Sequence, residues 1–312
     1  MKVLYSVDSV MLKCLKSFYI SSGIILCMCA CSTGSGKQNV MTEQKKEVIQ
    51  PEHFWDEYDF TDTMMLNRPE AIETKLVEYL SHLPYLTNQQ ACENIRKLVV
   101  KTRANSVINR WFLKRLEHYL YEPDSPLQND DYYISVLEEA LNSGCWSGMM
   151  RVRPSYQLKM LKKNRTGTIT TDFAIALPTG KTQNLWDISA KRTLLLFYDP
   201  NCEHCREVIQ ELSQSGVIDA MLSRCKELSL VTVCAGENMA AWKKYLPLLP
   251  STWVNGFDAE NVLMKKEFYL LRSFPSMYLL GEDKQVLLKE PTMDEVLIYL
   301  SKKDKTPSKR DD

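Results

Sequence analysis

Cys202 and Cys205, in the run Cys202-Glu203-His204-Cys205, are the residues whose type and spacing most directly ask for a reaction. Two thiols with two residues between them can close a disulfide, hold half of a metal site or take up haem. Haem attachment needs a His directly after the second Cys, and Arg206 stands there. A zinc site needs a second Cys or His pair at ligand spacing, and Cys225 and Cys234 are too far apart to supply it. Metal is therefore disfavoured. A redox pair is preferred, with a purely structural disulfide in an oxidising compartment as the alternative.

The elements needed to position such a pair are legible around it. Leu194 to Tyr198 is a short apolar run with the composition of a buried strand. Asp199, Pro200 and Asn201 break it. Val208, Ile209 and Leu212 then fall on one face of a helix, with Asn201 placed as its cap. A helix N-terminus favours a thiolate through its dipole and unpaired N–H groups. Cys202, nearer the end, is the expected nucleophile, and Cys205 the thiol that resolves the mixed disulfide.

The chain has 312 residues, enough for about two domains of roughly 150 residues each. Basic and acidic residues number 39 each, so no overall positive charge points to nucleic acid. Residues 1–31 read as a secretory signal: Lys13 and Lys16, an apolar run from Phe18 to Ala30, then Cys31. Met28-Cys29-Ala30-Cys31-Ser32 resembles a bacterial lipobox, which implies lipid attachment at Cys31. An uncleaved anchor helix is the alternative, and both place the rest outside the cytoplasm at a membrane. Removing residues 1–30 takes three lysines and one aspartate from the 39 of each sign, leaving 36 basic and 38 acidic residues. Residues 32–50 are polar and aperiodic, a tether, and 304–312 form a charged, disordered tail.

Residues 51–165 read as an all-α domain. Pro69 with Glu70 opens a helix carrying Ile72, Leu76, Leu80 and Leu83, and Thr87 with Gln90 makes a capping box before the next. Further helices are expected over 105–121, 131–141 and after Pro154. Trp111, Phe112, Tyr119, Tyr132 and Tyr133 are read as core, and His82 and His118 as unassociated with a site. Of the ten cysteines, Cys92, Cys145, Cys225 and Cys234 are read as buried small hydrophobes.

Residues 166–303 alternate strands and helices. Strands are expected over 172–177, 183–188, 228–234, 252–257, 276–280 and 285–289, and helices over 238–246, 259–269 and 292–302. Three segments carry a resemblance in one order: GTITTDFAIALPTGKTQNLWDI, LLLFYDPNCEHC and SFPSMYLLGEDKQVLLK. They resemble the thioredoxin superfamily, and within it the membrane-tethered extracytoplasmic thiol-disulfide oxidoreductases of the TlpA and ResA type. The resemblance implies an α/β thioredoxin-like fold, a central mixed sheet flanked by helices. It also implies that Phe274-Pro275 is a cis peptide facing the cysteines, where Phe274 offers its backbone to an incoming peptide. Phe274 departs from the Thr or Val common there. The helical domain is similar to segments that precede such domains in Gram-negative envelope lipoproteins.

The resemblance gives Glu203 and His204 the role of tuning the redox potential, in opposite directions. A carboxylate beside the thiolate disfavours it, and a protonated imidazole favours it. An exposed His204 acting only as spacer is the alternative. Peroxide reduction needs a Thr or Ser three residues before the first cysteine and a Pro seven before, but Asp199 and Leu195 occupy those places. The expected function is thus a lipid-anchored periplasmic thiol-disulfide oxidoreductase, with no cofactor and the outer membrane preferred over the inner. Its partners would be protein thiol or disulfide substrates and a membrane or periplasmic electron donor. The rival is an envelope binding or scaffold lipoprotein in which the fold is mainly structural.

Overall fold

A computed structural model describes residues 51–144, 146–236 and 238–302. The expected signal, Cys31, the tether 32–50, Cys145 and the tail 304–312 lie outside the described residues. The chain divides into two compact units, one ending at Trp111 and one beginning at Phe112.

Within the first unit, α1 (Pro69–His82) buries Ile72, Leu76, Val77, Tyr79 and Leu80. α2 (Asn88–Thr102) starts on the expected capping box, with Thr87 and Gln90 exchanging hydrogen bonds. Its Lys97 and Lys101 reach Glu52 and Asp56 at 2.8 and 2.6 Å. Trp55 packs edge-on against Tyr79, with ring centroids 5.6 Å apart. α3 (Ser106–Leu120) begins in this unit and ends in the next.

The second unit contains α4 (Asp130–Asn142) and α5 (Val152–Leu161), then the sheet. Phe112, Tyr119, Tyr132 and Tyr133 are buried as expected, and Trp111 is half-buried. The strands are β1 (Ala174–Ala176), β2 (Thr182–Asn184), β3 (Arg192–Tyr198), β4 (Leu228–Cys234), β5 (Val254–Phe257), β6 (Ser276–Gly281) and β7 (Val286–Lys289). They form one mixed sheet in the order β2-β1-β5-β4-β3-β6-β7. β3, β4 and β5 run parallel, while β6, β7, β1 and β2 pair antiparallel.

The apolar run 194–198 becomes central β3 because both of its faces find cover. Leu194, Leu196 and Tyr198 join one core with α6 (Glu203–Gln214), α7 (Gly216–Leu222), α8 (Met239–Tyr245) and α10 (Met293–Ser301). Leu195 and Phe197 join the opposite core with Phe173, Val262 and Tyr269. Fully burying such side chains contributes about 1.5–3 kcal/mol each, which fixes this strand at the centre.

Three expectations are corrected. The helix expected over 259–269 shrinks to α9 (Val262–Lys265), because Asn261 and Glu267 adopt φ of 52° and 53°, which a right-handed helix does not accept. The strand expected over 183–188 stops at Asn184. A tight helical turn, Leu185–Asp187, follows it, burying Leu185 and Ile188 at helical spacing. Cys225 is exposed rather than buried, whereas Cys92 and Cys234 are buried.

Candidate active site

β3 delivers the chain to a turn at 199–201 that ends on the cysteines. Asp199 shapes it: its carbonyl accepts the Cys202 N–H at 3.1 Å, and its Oδ1 accepts the Asn201 N–H at 2.8 Å. Asn201 is therefore held by the turn and does not cap the helix as expected. The cap is Cys202 itself. Its extended backbone (φ −79°, ψ 121°) turns Sγ back over the first turn of α6, where it accepts the Cys205 N–H at 3.1 Å. The nucleophile candidate thus takes the place of the usual cap oxygen and sits on an otherwise unpaired donor.

Cys202 is partly exposed and Cys205 is buried at 1 % exposure, and both are free thiols. Burial, and then the neighbouring Cys202, push the Cys205 thiol well above the ordinary range. Tyr198, Cys234, Trp242 and Tyr245 share the apolar core with Cys205, and burial pushes the Cys234 thiol up to about 11. The outer thiol is open to a partner, and the inner one is closed to solvent.

Phe274-Pro275 is cis, as the resemblance implied. The Phe274 carbonyl lies 3.5 Å from Cys202 Sγ, close enough to accept its proton. Glu203 and His204 are exposed on α6, and His204 Nδ1 lies 3.2 Å from Glu207 Oε2. The structure therefore brings together Cys202, Cys205, Phe274 and Pro275, while Glu203 and His204 project outward beside them. Among the described residues no group of His, Cys, Asp and Glu could hold a metal, and no helix is long and apolar enough to cross a membrane.

Sequence reasoning missed the residues that fix the proline loop. Arg272, two positions before Phe274, is a buried guanidinium with a 4 % exposed side chain. It pairs with Asp130 at 2.9 Å and with Glu290, and stacks on the Tyr121 ring at 5.1 Å from its centroid. Lys289 closes the group onto Asp130 at 2.8 Å. The only sequence signal was four charges close to apolar runs, which looks the same as a solvated face.

A crystal structure of a thioredoxin-like protein from Bacteroides caccae superposes with a TM-score of 0.79 and 30 % identity, covering 88 % of this chain and 99 % of that one. The chain belongs to the thioredoxin-like proteins. The C-terminal domain of an uncharacterized protein from Bacteroides fragilis is 36 % identical over 44 % of this chain and 97 % of its own, with a TM-score of 0.43. The thioredoxin domain of a thiol-disulfide oxidoreductase from Bacteroides vulgatus is 21 % identical over 44 % and 95 %, with a TM-score of 0.39. Residues 40–164 match a domain of unknown function, DUF5106. No curated protein matches the chain.

Proposed function

We propose that the protein is a thiol-disulfide oxidoreductase acting on protein disulfides through Cys202 and Cys205, on the extracytoplasmic side of a bacterial envelope and anchored there by lipid at Cys31. The observation that carries the reaction is one sulfur on a helix N-terminus, 3.5 Å from a carbonyl of a cis-proline loop, with a buried second thiol one turn behind it. Membership of the thioredoxin-like proteins supports a redox role for that pair. The anchor and the compartment rest on the leader sequence, with its apolar run ending at Cys31.

In the reductive direction the Cys202 thiolate attacks one sulfur of a substrate disulfide. The S–S bond breaks, a Cys202–substrate disulfide forms, and the other substrate sulfur leaves as a thiolate that takes a proton. Cys205 then loses its proton and attacks Cys202 Sγ, releasing the second substrate thiol and closing Cys202–Cys205. Two electrons pass from the protein dithiol to the substrate, and oxidation of a substrate dithiol runs the same steps backwards. The Phe274 carbonyl and the cis Pro275 present backbone for the substrate strand beside the attacking sulfur. Glu203 and His204 tune the potential from the rim.

The test is reduction of insulin by the full chain with dithiothreitol as electron source. Cys202→Ser is expected to remove turnover entirely. Turnover at the unsubstituted rate would overturn the mechanism.

A further inference from the structure

A cleft of about 480 Å3 opens beside the Phe274-Pro275 loop, within the roughly 300–1,000 Å3 that takes a drug-sized ligand or a few residues of peptide. One wall is Pro275, Ser276 and Met277, another comes from residues 291–295, and a third comes from the segment 123–131 ahead of and at the start of α4. That third wall belongs to the helical part of the chain, ahead of the strands of the sheet.

The lining indicates what the cleft can hold. Its buried charges neutralise one another: Asp130 with Arg272 and Lys289, and Glu290 with Arg272. Asp131 faces Arg165 at 2.5 Å, and Glu295 accepts the Thr292 N–H at 2.8 Å. A phosphate or a metal ion would have to break these pairs. What remains is uncharged and able to hydrogen-bond, framed by the rigid rings of Pro123, Pro126, Pro275 and Pro291. The Ser276 hydroxyl is buried, with the residue 4 % exposed, and like Arg272 Nε it meets no hydrogen-bond partner in the protein; neither atom opens onto the cleft, so a ligand's contacts fall on the rim.

We propose that this cleft holds the polypeptide flanking the substrate cysteine, so that the 123–131 segment acts as a specificity element for the reaction at Cys202. The inference rests on the thiol-disulfide reading. Pro275 is common to the cleft and the reacting site, so a chain whose sulfur reaches Cys202 can continue past Pro275 onto the 123–131 wall. A small disulfide makes no use of that wall. The helical segment thereby turns a general exchange site into one that discriminates between protein substrates.

The experiment compares insulin with cystamine, a disulfide too small to fill the cleft, as substrates of the reduced full chain. Pro126→Trp places an indole in the cleft from an exposed rim position, and is expected to lower the ratio of kcat/KM for insulin to that for cystamine by about tenfold or more. Pro123→Trp does the same from a second exposed rim position and is expected to lower the same ratio about threefold. A ratio unchanged in a folded Pro126→Trp or Pro123→Trp would overturn the cleft assignment while leaving the exchange chemistry standing. An unsubstituted chain that reduces neither disulfide would overturn both.

Discussion

The residue on which the reading turns is Cys202, because its sulfur does two jobs at once. It satisfies the Cys205 N–H as a helix cap and also faces the Phe274 carbonyl of the proline loop. Its partner behaves differently: burial holds the Cys205 proton well past the ordinary thiol range. In a Cys202→Ser chain, iodoacetamide alkylation of Cys205 should therefore keep rising about tenfold per pH unit through pH 9, since the rate follows the thiolate fraction. Mass-spectrometric rates that level off below pH 9 would show an unperturbed thiol. Arg272 is the other residue with a large expected effect. Arg272→Met strands Glu290 as a buried carboxylate, leaves Asp130 with Lys289 alone, and should cost about 3–5 kcal/mol in urea unfolding. A loss under about 1 kcal/mol would mean that the pairs contribute no more than exposed ones do.

Among the elements, the sheet shows where packing overrode local pattern. β5 passes so close to β1 that a Cβ on Gly256 would lie 2.0 Å from Ile175 Cγ2. Gly256→Ala is expected to destabilise the protein by about 1–3 kcal/mol, read as a lowered urea midpoint, and an unchanged midpoint would mean that β1 shifts freely. Thr87→Ala at the start of α2 should cost about 1 kcal/mol by removing the capping box. The capping box at Thr87, the central strand over 194–198 and the helix after the cysteines were legible because each rests on local chemistry. The short α9 was not, because its limits are set by left-handed residues, Asn261 and Glu267, whose conformation apolar spacing does not encode. The sequence placed the cysteines correctly but assigned the cap to Asn201, since an asparagine ordinarily outcompetes a thiol there. The Asp199 turn takes Asn201 out of that role.

At the scale of the molecule, the fold class could be read from residues 166–303, while the packing of the helical part beside the proline loop could not. Asp130 opens α4 and Arg272 precedes Phe274, more than a hundred positions later, and no pattern in either stretch announces their pairing. The proposed lipid anchor belongs to this scale too: in a Gram-negative host fed labelled palmitate the chain should take up label and Cys31→Ser should not, and an unlabelled chain in the membrane fraction would point to an uncleaved anchor instead. The central claim is that Cys202 is the sulfur that meets the substrate, and trapping tests it most directly. Cys205→Ser incubated with oxidised insulin should accumulate a mixed disulfide that peptide mapping places on Cys202. An adduct on Cys225 or Cys234, or none at all, would contradict it.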